Sequence, residues 1–95
     1  MIGIYIQKSW LDTIGDMKDV FFFREKANNH IMVIAGKVQV NYPFLEAKLA
    51  RKQATDSGEV FLAARIPTGL VSGTFDLTEG ETSEYGFVPP KKKRN

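Results

Sequence analysis

One histidine, His30, and no cysteine limit the covalent chemistry open to this chain of 95 residues. Nucleophilic catalysis needs a nucleophile held beside a base, and thiolate metal sites need cysteine. His30 follows Asn28-Asn29, a pair suited to a hairpin turn because asparagine tolerates positive φ, so it reads as structural. A two-carboxylate acid/base site would draw on the 11 acids. However, Asp12, Asp16 and Asp19 surround Gly15 in a turn-like stretch, and Glu79, Glu81 and Glu84 lack the spacing and glycine of a calcium loop. Gly69 and Gly73 stand without the lysine-serine pair of a phosphate loop. The expectation is a protein that is not an enzyme and has no metal site and no cofactor.

Binding chemistry is better represented. Single-stranded nucleic acids are held by bases stacked on aromatic faces beside Lys and Arg that follow the backbone. Phe21, Phe22 and Phe23 are consecutive and bracketed by Lys18, Arg24 and Lys26. Side chains alternate along a strand, so Phe21 and Phe23 share one face and Phe22 takes the other. Tyr42 precedes Pro43 at the end of a β-branched run, between Lys37 and Lys48, and is the leading stacking candidate; Tyr5, Trp10 and Tyr85 are others. Most of the aromatic side chains must nonetheless build the core of so small a domain.

Charge is unevenly spread. The net charge is +2, from 13 Lys and Arg against 11 Asp and Glu. Residues 1–55 carry an excess of cations and residues 56–90 hold Arg65 against six acids. Lys91, Lys92, Lys93 and Arg94 then follow in a basic stretch, 89–95, expected to be a flexible tail. The tail has three readings: a phosphate grip driven by counterion release, a short nuclear address, or a solubilising end that answers the acidic segment before it.

Strand signals dominate the elements that must position these residues. Ile2, Ile4 and Ile6 alternate with Gly3, Tyr5 and Gln7, the period of a half-buried strand. Val20 to Lys26 reads as a short strand, Ile31 to Tyr42 as a long one with a bend at Gly36, Glu59 to Ile66 and Leu70 to Leu77 as two more, and Tyr85 to Val88 as a last short strand. Asp12 to Asp19 and Thr78 to Glu84 read as loops. Phe44 to Ala54 carries two signals. Its Leu, Glu, Ala, Lys and Arg residues favour helix, whereas Leu45, Ala47 and Leu49 alternate as in a strand; the composition tips the expectation to one helix at about 43–54. In that helix Lys48, Arg51 and Lys52 would share a face. The predicted architecture is mainly β: a single domain over 1–88, a small five- to six-stranded OB-like barrel. The longest apolar runs fall short of the ~20 residues a spanning helix needs, so no membrane is expected, and the expected location is the cytoplasm of a bacterial host.

Three short features resemble the single-stranded-DNA-binding proteins of filamentous bacteriophages. The opening Met1-Ile2-Gly3-Ile4-Tyr5-Ile6 is similar to their first strand, Tyr42-Pro43 with Leu45 and Lys48 to their Tyr-Pro motif, and Val88-Pro89-Pro90-Lys91 to one member's ending. The lysine falls one residue further on than in that family, and Lys18 with Phe21 and Arg24 is the nearest counterpart of its arginine-rich wing. The resemblance implies that Tyr42 stacks on bases while Lys48 meets phosphate. It also implies a homodimer that coats DNA during replication with little sequence preference. Within that family the Tyr-Pro segment continues as a strand.

Three function classes follow. The first is sequence-tolerant binding of single-stranded nucleic acid, DNA before RNA, through Lys18, Phe21, Phe23, Arg24, Lys37, Tyr42, Lys48 and the tail. The alternative is a small virus- or plasmid-encoded module that docks an aromatic face on a host protein partner. A third, a small ribonuclease-type enzyme, would require an essential His30.

Overall fold

The computed structural model describes residues 1–87. The chain runs β1 (Ile2–Gln7), α1 (Ser9–Ile14), a 3-10 turn (Gly15–Asp19), β2 (Phe23–Lys26), β3 (His30–Asn41), β4 (Phe44–Ala50), β5 (Phe61–Pro67), a 3-10 turn (Thr68–Leu70), β6 (Val71–Asp76) and α2 (Glu79–Ser83). The protein is mainly β. All six strands belong to one antiparallel sheet of order β5-β4-β3-β1-β6, with β2 paired to β3 as a side branch.

The long strand β3 organises everything else. Ala35 pairs with Ile2 of β1 on one edge and with Leu49 of β4 on the other. Beyond it the register slips between Ala35 and Lys37, a bulge at Gly36 that bends the strand. A Cβ on Gly36 would stand 2.8 Å from the Phe61 ring, so glycine is what lets that ring lie against the bend. The bend is large. Pro67 is tied through Phe44 to Asn41, and Val71 through Ile6 to Ile31. Asn41 and Ile31 would be roughly 33 Å apart on a straight strand, yet the link from Pro67 to Val71 reaches at most ~14 Å. The sheet therefore coils on itself. It stays open: among the described residues β5 and β6 share no ladder, so the expected barrel is not closed.

Coiling gives the sheet an inner and an outer face. Ile4, Ile6, Ile31, Val33, Ala35, Leu45, Ala47, Leu49 and Ile66 line the inside with Trp10 and Leu11 of α1 and Phe21. Each fully buried aliphatic side chain contributes about 1.5–3 kcal/mol. A smaller outer cluster of Ile34, Ala50 and Phe87, with Phe22, Phe61 and Leu77 against it, lies under the segment that follows β6. The three consecutive phenylalanines are thus divided between two cores, Phe21 and Phe23 inward and Phe22 outward.

Several expectations are corrected. Residues 43–54 form no helix: Phe44–Ala50 is strand β4, hydrogen-bonded on both edges between β3 and β5. Alternation of Leu45, Ala47 and Leu49 prevails over helix propensity because it buries three side chains and satisfies two ladders at once. Tyr85 to Phe87 is a turn and an irregular residue rather than a strand, and Val88 lies outside the described residues. The two supposed loops contain helix. Ser9–Ile14 buries Trp10 and Leu11. Glu79–Ser83 carries a capping box in which Thr78 Oγ1 accepts from the Glu81 N–H while Glu81 Oε1 accepts from the Thr78 N–H at 3.1 Å.

Candidate nucleic-acid interface

The register places two of the expected cations together. Lys37 of β3 and Lys48 of β4 are direct cross-strand partners, and Ala63 of β5 sits on the other side of Lys48. Their side chains alternate with the inward-facing Val38, Ala47 and Leu49, so both project from the outer face. The small side chain of Ala63 leaves a hollow of ≈ 590 Å³ there, walled by Lys37, Lys48, Gln39, Glu46 and Arg65. Arg65 Nε donates to Glu46 Oε2 at 3.3 Å, and Asn41 Nδ2 donates to Glu46 Oε1 at 3.4 Å. The one carboxylate of the groove is therefore occupied, whereas neither Lys37 nor Lys48 makes an ion pair among the described residues. Like charges set directly opposite on a sheet cost roughly 0.2–1 kcal/mol. The groove thus carries a repulsion that a bound anion would relieve.

The β3–β4 hairpin runs on beyond the groove, with Val40 on the face of Val38 rather than that of the lysines. Tyr42 at its tip is 82% exposed, with Val40 at 69% and Phe44 at 37%. An unburied tyrosine ring is available for stacking. The Tyr42–Pro43 peptide bond is cis, and Thr68 closes against the turn by donating its N–H to the Pro43 carbonyl at 3.0 Å.

The other expected residues do not join this surface. Phe21 is 1% exposed, with its ring 5.6 Å from Trp10; it belongs to the core and cannot stack on a base. Phe23 is half-buried against that core and lines a separate hollow of ≈ 440 Å³ with Lys18, Lys8 and Glu25. There the hydrogen bond from Lys8, reinforced by its charge, holds the Glu25 carboxyl below its ordinary range. Arg24 is engaged within the chain, 3.6 Å from Glu84 and 5.6 Å above the Tyr85 ring. Burial pushes the Tyr85 hydroxyl up, against the opposing pull of the Arg24 guanidinium. Lys91, Lys92, Lys93 and Arg94 lie outside the described residues.

Gln39, Glu46 and Arg65 were not legible as groove residues, because only pairing of β4 with its two neighbours brings them together. Among the described residues no three His, Asp or Glu side chains come close enough to hold a metal ion, and no helix is long and apolar enough to cross a membrane. No protein-family model, curated protein or solved structure matches the chain.

Proposed function

We propose that the chain binds single-stranded nucleic acid, DNA in the first instance, across the outer face of β3, β4 and β5. The observation that carries this reading is the exposed Lys37–Lys48 couple, without an ion pair among the described residues, on the two strands whose hairpin carries the exposed Tyr42. In this reading phosphates lie over the two lysines and a base stacks on Tyr42. Lys18 contributes only if the strand continues to the second hollow, and the basic tail adds phosphate contacts from outside the groove. Such contacts read backbone and π-face rather than base edges, so binding is sequence-tolerant. The homodimer implied by the phage-protein resemblance is proposed with it, and light scattering at several concentrations checks it.

Fluorescence anisotropy with a roughly 25-base strand, longer than the ~4–16 nucleotides such folds commonly cover, tests the reading. Affinity should fall steeply with salt, and the slope should become shallower when residues 91–95 are removed. No binding at low salt would refute it. A second reading is favoured by Val40 and Tyr42, large apolar side chains left exposed on one hairpin: a docking patch for a host protein partner. That reading predicts no oligonucleotide binding and a salt-insensitive complex.

A further inference from the structure

Away from the groove, two side chains sit as a base and its nucleophile. Tyr5 pairs with Gly73 and Ile6 with Val71, which leaves Ser72 as the extra residue of a bulge in β6. Bulges re-aim the side chain they insert, and Ser72 Oγ lies 2.8 Å from His30 Nε2. The second ring nitrogen, Nδ1, lies 2.7 Å from the Asn28 carbonyl oxygen. A carbonyl only accepts, so Nδ1 carries the proton and, in the neutral ring, Nε2 is an acceptor. The Ser72 hydroxyl therefore donates to His30, the polarity that general-base activation requires.

The surroundings hold this arrangement. Asn28 and Asn29 have φ of 60° and 58°, the tight turn that aims the Asn28 carbonyl back at the ring. Tyr5 packs on His30 with ring centroids 4.5 Å apart and is itself fixed by donating its hydroxyl to the Ala27 carbonyl at 3.1 Å. Ser72 is exposed. The half-exposed Phe75 ring lies beside Gly73 and edge-on to Tyr5, an apolar wall next to the hydroxyl.

We propose that Ser72 is a nucleophile activated by His30 and takes acyl groups from activated carboxylic esters, with Tyr5 and Phe75 receiving the apolar part of the ester. Ser72 Oγ forms a bond to the carbonyl carbon as its proton passes to His30 Nε2. The carbon–oxygen bond to the leaving group then breaks, its electron pair departs with that oxygen, and the proton on Nε2 is released to the leaving group or to solvent. The product is an ester on Ser72. This site is independent of the groove and uses none of its residues.

The chain has four serines, Ser9, Ser57, Ser72 and Ser83, so three serve as internal controls. The full chain is treated with p-nitrophenyl acetate and acetylation is mapped by peptide mass, with hydroxylamine separating serine esters from lysine amides. Ser72 should acetylate at least about tenfold faster than the other three, since general-base assistance typically contributes 10²–10⁴-fold. The preference should vanish in His30→Gln, and also in the unsubstituted protein held in concentrated urea, which removes dependence on how the variant folds. Equal labelling of all four serines, or a Ser72 preference that survives urea or His30→Gln, overturns the proposal.

Discussion

Replacing Lys48 with Gln should strengthen the fold while weakening nucleic-acid binding. Lys48 and Lys37 are direct cross-strand partners on the outer face, and no described carboxylate is paired with either. Removing one charge relieves a repulsion of roughly 0.2–1 kcal/mol. For a domain of this size that raises Tm by about 1–8 °C, at roughly 4–8 °C per kcal/mol. Glutamine keeps most of the side-chain stem, so packing on Ala63 changes little. In binding, one exposed charge contact contributes up to about 1 kcal/mol, or about fivefold in Kd. The sharper readout is salt. Each phosphate contact on a single strand contributes about −0.7 to the slope of log K against log salt. Lys48→Gln should make the slope shallower by about 0.7, and the double variant with Lys37→Gln by about 1.4. Differential scanning calorimetry and anisotropy titrations from about 50 to 200 mM salt measure both quantities. A lower Tm would show that Lys48 supports the fold. An unchanged slope would show that no phosphate reaches it, and either result refutes the reasoning.

Four further outcomes follow from other parts of the structure. Tyr42→Ala should weaken binding by about 1–3 kcal/mol and, because the ring is 82% exposed, move stability by no more than about 0.5 kcal/mol in chemical denaturation. Phe21→Ala, by contrast, should cost about 3–5 kcal/mol, because its ring is buried against Trp10 and Phe23; urea unfolding monitored by Trp10 fluorescence measures it. Gly36→Ala forces a Cβ to within 2.8 Å of the Phe61 ring and should destabilise by about 1–3 kcal/mol, lowering Tm. At the start of α2, Thr78→Ala should cost about 0.5–2 kcal/mol. The Thr78 N–H and hydroxyl hold the Glu81 carboxyl below its ordinary value of 4.5. A lowered folded pKa stabilises the fold above the unfolded value, and that contribution is lost as pH falls through the folded one. Alanine keeps the backbone N–H and loses only the hydroxyl's share of this effect, and the bond from the Glu81 N–H to Thr78 Oγ1 does not titrate. The gap between the unfolding curves of the unsubstituted protein and Thr78→Ala should therefore narrow without closing as pH falls through the carboxylate range.

The distribution of legible and illegible features follows the range of the interactions. Asn28-Asn29 before His30 reads directly as a tight turn, since asparagine is among the few residues that take positive φ. The capping box Thr78-x-x-Glu81 is equally local and marks the start of α2, even though the polar, acidic composition of that segment favours a loop. The same holds for α1, where Trp10, Leu11 and Ile14 share a helical stripe. Phe44 to Ala54 is different. Its residues satisfy helix propensity and strand alternation together, and only the presence of β3 and β5 on either side decides for the strand.

What the sequence determined by itself is therefore a mainly β fold, its principal turns, the bend at Gly36, and a surplus of cations in the first half of the chain. These depend on period, backbone freedom and composition, which neighbouring residues carry between them. Tertiary structure decided which residues share a surface. Phe21 went to the core because the inner face needed a large side chain opposite Trp10. Lys37 met Lys48 across a bulge that offset the register by one residue. Ser72 met His30 from 42 positions away across β1. A one-residue change of register exchanges every inward side chain for an outward one, so the composition of each surface depended on strand pairing that only the folded sheet supplies.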